Sequence, residues 1–546
     1  MARASLKPPS APLAPDAGDA LETLVHQFAD PLSFFRELVQ NSVDAGSREV
    51  EIRFEYEPPR GGGEGAMVVH VDDWGEGMDR AIIDTQLTRL FSSSKEGDLT
   101  KIGKFGIGFV SVFALEPDAV CVDTSRGGEN WRVLFRKDRT FTRIARDEPV
   151  EGTKVRLIKS ASRDEFEKLR ERAREVVAYW CRHLPAEVRF DGKRINEPLD
   201  LDLPVTVRHV EADTEVVAGY TIDGARFSGY YNKGLTLLEE PSGLFPGVAF
   251  KLSSRYLEHT LTRDNVVRDR NFDKAIGIVQ RLVERELPAR LFERLEEEVA
   301  RDPESEAAGR LYLLATRRLE RRPRCLAASA ARRVFRDLAG TPVTLGAVRE
   351  AARRGRLERS VPGSAVGEAL ARGGSLVLHA AAGGPAAAAL ANLFGLIPEG
   401  ADERLCRPQP LEDGRIPAGA AALCRATADL LRAGKAKLSG VHLARFDTPA
   451  SRIADRVAVT QRSFGETTPL DDARKLGASV FSRKRALVLN AAHPAVARLL
   501  VLAPREAELA AYLGLKLFFL DHRLNVELDA ELVLRAMEAR CRRRTA

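Results

Sequence analysis

The sequence lacks paired cysteines. Its six cysteines are scattered along 546 residues without a CxxC pair or the spacing of a zinc site, which argues against a disulfide framework or a cysteine metal site and favours a reducing compartment. There is also no run of about 18 apolar residues to span a bilayer, and residues 1–20 lack the apolar segment of a signal peptide. These absences predict a cytoplasmic protein with no membrane partner.

A strong excess of one charge is missing as well. The 84 Lys and Arg residues nearly balance the 78 Asp and Glu residues, which leaves a net charge of +6. Because this balance gives little attraction to a phosphate backbone, it argues against nucleic acid as a partner. The chain also contains neither the GxxxxGK[ST] pattern of a P-loop nor the glycine fingerprint of a Rossmann fold.

Composition and hydrophobic pattern divide the chain into four regions. Residues 1–20 are rich in Pro, Ala and Asp and are predicted to be a disordered leader. We then expect an N-terminal α/β domain over 21–185, an α/β middle domain over 186–300, and a mostly helical α/β region over 301–546.

Apolar runs predict the elements of these regions. In 21–185 we expect a closing helix, Arg163–His183, and strands at Val50–Tyr56, Met67–Val71, Ala119–Asp123, Trp131–Arg136, Thr140–Ile144 and Lys154–Ile158. Helices and strands in this order predict an α+β fold with two layers packed as a sandwich. Val188–Phe190 is the first strand expected in the middle domain. The strand-like runs of the last region are Ser375–Leu378, Ala486–Leu489 and Leu515–Leu520.

The first group of candidate site residues lies on a predicted helix. Glu37, Asn41 and Asp44 stand at positions i, i+4 and i+7, so one helix face presents two carboxylates and a carboxamide. A carboxylate base that activates water beside an oxygen ligand of Mg²⁺ would use such a face. A solvated polar helix face has the same spacing.

A second group follows an apolar strand. Asp73 stands at the strand end and is followed by Gly75 and Gly77. An aspartate in this position can accept a hydrogen bond from an exocyclic amine while the glycine backbone approaches a flat ring. An ordinary turn uses the same residue types.

A third group is rich in glycine. Gly103, Gly106 and Gly108 lead into the apolar run Phe109–Leu115 and follow the polar run Ser92–Lys95. Bare N–H groups at the positive end of a helix can hold phosphate oxygens. A purely structural glycine loop is the alternative.

The last candidate opens a strand. Thr153 follows Gly152, and its hydroxyl would complete a polar site beside Asp73. An ordinary threonine in a strand explains the same residue equally well.

Taken in order, these groups resemble the motifs of the ATPase superfamily of gyrase, heat-shock chaperones, histidine kinases and MutL, which shares the Bergerat fold. The similarity is closest to the 90-kilodalton heat-shock chaperones, called HtpG in bacteria. The runs that carry the resemblance are Arg36–Ala45, Asp73–Met78, Ile102–Phe109 and Gly152–Lys154.

The resemblance implies a role for each residue, with ATP and Mg²⁺ as cofactors. Glu37 would activate the attacking water, Asn41 would bind Mg²⁺, and Asp73 would accept the adenine amino group. The stretch Leu87–Lys101 would form a lid over the nucleotide. The other residues implied in nucleotide binding are Asp44, Gly75, Gly77, Met78, Lys95, Gly103, Gly106, Gly108, Phe109 and Thr153; among them, Met78 and Phe109 would lie near the base and sugar, and Thr153 would support Asp73 through a water.

A fainter resemblance extends into the middle region. Leu261–Asn265 is similar to the chaperone loop whose arginine reaches the γ-phosphate, which implies that Arg263 assists catalysis. Arginine is abundant in this region, so an ordinary surface arginine is the alternative. Residues 301–546 do not resemble the chaperone dimerisation domain.

The leading hypothesis is an ATP-hydrolysing chaperone of the HtpG type that acts on non-native polypeptide clients, with a homodimer implied by the resemblance. One alternative is a MutL-like or gyrase-like ATPase that acts with nucleic acid. The other is a nucleotide-sensing scaffold without significant turnover. Glu37 favours hydrolysis over sensing, and the near-neutral charge favours polypeptide over DNA.

Overall fold

The computed structural model describes residues 30–59, 64–88, 107–241, 243–260, 265–321, 329–395, 400–475, 483–521 and 526–545. Two compact units, Met1–Pro288 and Ala289–Ala546, divide the chain. The expected leader over 1–20 lies outside the described residues, and so do Lys95, Gly103, Gly106 and Arg263.

The first unit begins with a mixed sheet of eight strands in the order β5-β4-β3-β6-β2-β1-β7-β8. The strands are β1 (Glu49–Glu57), β2 (Gly65–Asp73), β3 (Ala119–Arg126), β4 (Glu129–Arg136), β5 (Phe141–Ala145), β6 (Thr153–Ala161), β7 (Glu187–Phe190) and β8 (Lys193–Arg194). In β1 the buried residues Val50, Ile52 and Phe54 alternate with charged ones, which is the pattern of a strand with one face in the core.

Helices form a second layer against this sheet. They are α1 (Phe34–Asp44) and α2 (Arg163–Trp180), together with the shorter helical segments Pro31–Ser33, Arg80–Ile82, Ile83–Leu87, Ile107–Val110 and Ser111–Leu115. Helix α2 begins at a capping box between Ser162 and Glu165. Both long helices share one hydrophobic core with the inward residues of the sheet. The predicted α+β fold with a two-layer α/β sandwich at the N-terminus is therefore confirmed.

The sheet extends past the boundary expected at residue 185. Val188–Phe190, expected as the first strand of the middle domain, lies in β7 and pairs in parallel with β1. The sequence pattern identified the strand but not its partner, because the pairing joins two segments that are far apart along the chain.

A second sheet, of five strands, completes the first unit in the order β12-β11-β13-β10-β9. Its strands are β9 (Thr206–Glu211), β10 (Thr214–Tyr220), β11 (Phe227–Asn232), β12 (Leu235–Glu240) and β13 (Val248–Ser254). The helical stretch that follows comprises α3 (Arg270–Arg281), the π-helical segment Leu282–Glu286 and α4 (Leu287–Arg301). Pro288 has no N–H to donate to the preceding turn, which accounts for the irregular geometry just before it.

The second unit combines helices with short sheets. Its helices are α5 (Glu306–Arg321), α6 (Leu345–Arg353), α7 (Ala365–Arg372), α8 (Pro385–Phe394), α9 (Ala420–Ala433), α10 (Pro494–Leu502), α11 (Ala507–Leu520) and α12 (Val526–Thr545), with short segments at Ala401–Arg404, Asp413–Arg415 and Asp472–Arg474. Its strands are β14 (Phe335–Arg336), β15 (Pro342–Val343), β16 (Leu357–Ser360), β17 (Leu376–His379), β18 (Leu405–Cys406), β19 (Gln409–Pro410), β20 (Leu438–Arg445), β21 (Ala458–Gln461), β22 (Thr468–Pro469) and β23 (Arg485–Asn490).

Two of the three strand-like runs expected in this unit are strands, β17 and β23. The third, Leu515–Leu520, is the end of helix α11, so that expectation was wrong. A short apolar run cannot distinguish a strand from a buried helix, and here the alanine-rich segment before it extends the helix. No helix in the part of the chain that the structure describes is long and apolar enough to cross a membrane.

Candidate functional site

Asp73 is the centre of the polar site in the first unit. It ends strand β2, and its side chain is buried, with only 7% of its surface exposed. Its Oδ1 atom accepts hydrogen bonds from the backbone N–H of Gly75, at 2.9 Å, and of Thr153, at 3.1 Å. Two of the motifs identified in the sequence therefore meet at one carboxylate oxygen.

The other oxygen of Asp73 meets helix α1. The Ser42 hydroxyl lies 3.2 Å from Oδ2 of Asp73 and 2.9 Å from the carbonyl oxygen of Leu38. Helix α1 also carries Glu37 and Asn41. This contact holds the helix with the candidate base and metal ligand beside the strand end with the candidate adenine-binding residue.

Burial changes the acidity of this carboxyl group. Loss of solvent raises the pKa of Asp73 above its ordinary value, and the hydrogen bonds from Gly75, Thr153 and Ser42 oppose that effect only in part. Such a shift is frequent at functional sites, where a charged group is held away from water in a fixed position.

A lysine and a tryptophan cover the backbone at Asp73. The ammonium group of Lys154 donates to the carbonyl oxygen of Asp73 at 3.1 Å and lies 3.8 Å from the ring centroid of Trp74. Trp74 is partly exposed. The indole ring therefore sits next to the site, where its fluorescence can report on a bound ligand.

Thr124 joins two of the glycine-containing segments. Its side chain is fully buried in β3, and its hydroxyl accepts a hydrogen bond from the backbone N–H of Met78 at 2.8 Å. The same oxygen lies 3.2 Å from the Thr153 hydroxyl and 3.3 Å from the carbonyl oxygen of Gly152. Thr124 thus fixes the segment that follows Asp73 against the start of strand β6.

The glycines after Asp73 make close backbone contacts. Gly75 lies against Ala45 at the end of α1, and the next N–H, of Glu76, donates to the Ala45 carbonyl at 2.9 Å. Gly77 lies against the carbonyl of Ser125. This segment is therefore bound on one side by the helix and on the other by the sheet.

Glu37 is buried and lies against the helical segment Ile107–Val110. A Cβ atom added at Gly108 would be 2.6 Å from Oε2 of Glu37, which is closer than such atoms approach one another in proteins. A larger residue at this position would therefore force the Glu37 carboxylate to move. The structure brings together the candidate base and the one phosphate-loop glycine that it describes.

Asn41 and Asp44 differ from Glu37 in exposure. Asn41 is exposed one turn after Glu37. Asp44, at the helix end, forms an ion pair with Lys233, whose Nζ lies 2.9 Å from Oδ1. Within the described ranges no group of three or more His, Cys, Asp or Glu side chains is placed to hold a metal ion.

The two apolar candidates lie on the core side of the site. Met78 is partly buried and packs against the core of the sandwich. The Phe109 ring is buried, and its centroid lies 5.3 Å from that of Phe135. Lys95, Gly103, Gly106 and Arg263 are outside the described residues, so their assigned roles stay predictions.

Three residues of this site were not identified from the sequence. Ser42 lies inside the first motif, but a serine next to an asparagine has no pattern of its own. Thr124 is one β-branched residue in a strand, and Lys233 belongs to a distant hairpin. Only the folded chain brings Ser42 to Asp73, Thr124 to Met78 and Lys233 to Asp44.

Comparison with known protein families agrees with this geometry. Residues 33–173 match the family described as histidine kinase-, DNA gyrase B- and HSP90-like ATPase. This range includes α1, β2 and the described parts of all four motifs. The predicted resemblance to that superfamily is confirmed for residues 33–173.

Curated relatives also match part of the chain. The chain is 31% identical over 221 residues to the chaperone protein HtpG of Anaplasma phagocytophilum, which is 35% of this chain and 34% of that protein. It is 29% identical over 213 residues to HtpG of Rhodospirillum rubrum, 32% of this chain and 33% of that protein. For HtpG of Bordetella avium the values are 30% over 176 residues, 27% of each chain. The chain therefore spans about a third or less of the length of these relatives.

Proposed function

We propose that this chain binds ATP at Asp73 and hydrolyses it with Mg²⁺. The observation that carries the proposal is the buried Asp73 carboxylate, held by Gly75, Thr153 and Ser42 inside the region that matches the ATPase family. A carboxylate held in this way can accept a hydrogen bond from the exocyclic amino group of adenine without moving its side chain. Such preorganisation favours tight and selective binding.

Two neighbours complete the base site in this proposal. Thr153 would support Asp73 through a water molecule, and the Met78 side chain would contact the adenine ring. Contacts with Thr124 support these roles, because its hydroxyl accepts from the backbone N–H of Met78 and lies 3.2 Å from the Thr153 hydroxyl. Phe109 lies deeper in the core and would contact the nucleotide through its edge or through the backbone next to Gly108.

Hydrolysis would use the polar face of α1. Glu37 would accept a proton from the water that attacks the γ-phosphorus, and ADP and phosphate would leave. Mg²⁺ would neutralise phosphate charge, and the exposed Asn41 carboxamide fits its preference for hard oxygen ligands. Mg²⁺ commonly takes only one or two protein ligands in addition to phosphate and water. The glycine loop, Lys95, the lid over Leu87–Lys101 and Arg263 remain proposed contributors.

The coupled activity in this proposal is that of a chaperone. The relatives that match part of this chain are named chaperone protein HtpG, which supports non-native polypeptides as clients and a homodimer as the working form. Closure over the nucleotide would then drive rearrangement of the client-binding surfaces. The balanced charge supports polypeptide over nucleic acid as the partner.

The test is steady-state ATP hydrolysis by the wild-type protein and by Glu37→Ala, with Mg²⁺ present and with Glu57→Ala as a control for loss of an exposed carboxylate. We expect turnover in the wild type and the control and none in Glu37→Ala, with ATP binding retained by all three. Turnover by Glu37→Ala equal to wild type would contradict the role of Glu37. Binding without turnover in the wild type would favour the sensing scaffold.

The chaperone part needs a separate measurement. We expect the wild type with ATP to suppress aggregation of a thermally unfolding protein. In Glu37→Ala we expect the part of this suppression that depends on ATP hydrolysis to be lost. Salt-sensitive binding to duplex DNA with no effect on aggregation would favour the nucleic-acid alternative instead.

A further inference from the structure

The hairpin between β11 and β12 inserts its turn into the first domain. We call residues 232–236 the hairpin tip. Gly234 has a φ of +89°, and a Cβ atom there would collide with the carbonyl of His183 after helix α2. Leu235 is buried in the core of the sandwich, and the Thr236 hydroxyl donates to the carbonyl oxygen of Tyr179 at 2.6 Å. The tip is therefore fixed against the domain that carries the nucleotide site.

Lys233 extends this contact to helix α1. Its ammonium group lies 2.9 Å from Asp44, seven residues after Glu37 on the same helix. The side chains are partly exposed, 50% for Lys233 and 28% for Asp44. The ion pair is thus a direct link between the second sheet and the helix that carries the candidate base.

The backbone at Lys233 makes this residue an unusual choice. Lys233 has a φ of +46° and Gly234 also has a positive φ, so the two form the centre of a two-residue turn of type I′. Such turns prefer Asn-Gly or Asp-Gly, because a lysine Cβ is crowded in the left-handed region. A residue that does not favour this turn is thus found where its side chain meets Asp44.

We propose that Lys233 is a positioning residue for hydrolysis, which acts by holding the last turn of α1 in place through Asp44. The proposal rests on the proposed function, because it assigns the positioned group as Glu37. Contacts of the strands next to the hairpin tip support the proposal. Glu239 of β12 accepts a hydrogen bond from the Tyr231 hydroxyl at 2.6 Å and forms an ion pair with Arg182. The second sheet can therefore transmit its position to α1 without contacting nucleotide.

The test uses substitutions that suit the turn. Lys233→Asn and Lys233→Asp both fit a type I′ turn, so neither is expected to lower the unfolding temperature. We expect each to reduce kcat about fivefold, as loss of a partly exposed ion pair allows, while the Kd for ATP stays within about twofold of wild type. Lys137→Asn, which removes the exposed pair with Asp118 in the same domain, is the matched control.

A double-variant cycle separates positioning from general damage. We expect Lys233→Asn to lower kcat in the wild-type background but to have no further effect in an Asp44→Asn background, because the ion pair is already absent there. Normal kcat in Lys233→Asn, or an equal loss in both backgrounds, would overturn the proposal.

A second readout does not depend on turnover. Hydrogen exchange of the amide of Ala45, which donates to the Asn41 carbonyl at 2.9 Å, should be faster in Lys233→Asn than in the wild type. In the Asp44→Asn background, adding Lys233→Asn should not change it further. If the wild-type protein does not hydrolyse ATP, the hydrolysis part of the proposed function fails. An unchanged exchange rate of the Ala45 amide in Lys233→Asn would then overturn the positioning role as well. Faster exchange would show that Lys233 still holds the last turn of α1 in place.

Discussion

The Ser42 hydroxyl lies 3.2 Å from Oδ2 of Asp73, and this single contact joins the helix of the candidate base to the candidate adenine-binding carboxylate. Removing it in Ser42→Ala leaves Oδ2 with one donor fewer inside the protein. We expect the affinity for ADP to fall about fivefold to tenfold, because the carboxylate is less well fixed and its pKa is raised further. Isothermal calorimetry measures the change.

Ser160→Ala is the control for this substitution. The Ser160 hydroxyl also donates to an aspartate, Asp118, at 2.8 Å, but on the exposed far end of β6. It should bind ADP as the wild type does. An unchanged Kd in Ser42→Ala would show that Ser42 does not position Asp73 for the nucleotide.

Asp73 also predicts a pH dependence of nucleotide binding. Burial raises the pKa of Asp73, and the ionised carboxylate is a stronger acceptor for the adenine amino group than the neutral carboxyl group. The affinity for ADP should therefore fall as the pH is lowered, and the fall should begin at a higher pH than for an ordinary aspartate. Calorimetric titration with ADP between about pH 5 and about pH 8 measures this dependence.

The same shift has a consequence for stability. Because the folded state holds the proton of Asp73 more tightly than the unfolded state, the stabilisation is present at low pH and is lost as the pH rises through the raised pKa. At neutral pH the buried carboxylate therefore lowers stability, and Asp73→Asn should raise the unfolding temperature while it weakens ADP binding about tenfold or more. A lower unfolding temperature at neutral pH in this variant would contradict the conclusion that the buried Asp73 carboxylate lowers stability.

Gly108 predicts a steric effect on hydrolysis. In Gly108→Ala the new Cβ atom would lie 2.6 Å from Oε2 of Glu37, so the carboxylate must move. Since misplacing a catalytic group by about 1 Å can cost up to a hundredfold in rate, we expect kcat to fall about tenfold or more. Single-turnover hydrolysis measures the step directly.

Gly277→Ala serves as the comparison for Gly108→Ala. Gly277 lies inside helix α3 with open space around its Cα, so alanine is expected to leave turnover unchanged and to stabilise the helix slightly. If both variants hydrolyse ATP as fast as the wild type, Glu37 tolerates displacement and is not the base.

The sequence predicted the elements of the ATPase domain well, because alternating strands such as β1 and an amphipathic α1 have strong local patterns. It also placed Asp73 and Thr153 in one site, and the structure joins them by a hydrogen bond. Asp73 and Thr153 each belong to a motif, and the order of the motifs along the chain indicated that they form one site.

What the sequence could not predict depends on contacts between distant segments. The parallel pairing of β7 with β1 and the insertion of the hairpin tip both join residues that no local pattern relates. In the second unit, the run Leu515–Leu520 is apolar except for Lys516, and so short a run does not distinguish a strand from the helix that it forms.

Thr124 gives the last prediction, which separates the stability of the site from its chemistry. Thr124→Val keeps the side-chain shape but removes the buried acceptor of the Met78 N–H and the contact with the Thr153 hydroxyl. Leaving that N–H without an acceptor should lower the free energy of unfolding by about 1–3 kcal/mol and weaken ADP binding, as seen by denaturant unfolding and calorimetry. Thr316→Val in α5 is the opposite case, because the buried Thr316 hydroxyl has no hydrogen-bond partner among the described residues, so this variant should be neutral or slightly stabilising. Equal losses in the two variants would mean that the Thr124 effect comes from packing and not from its hydrogen bonds.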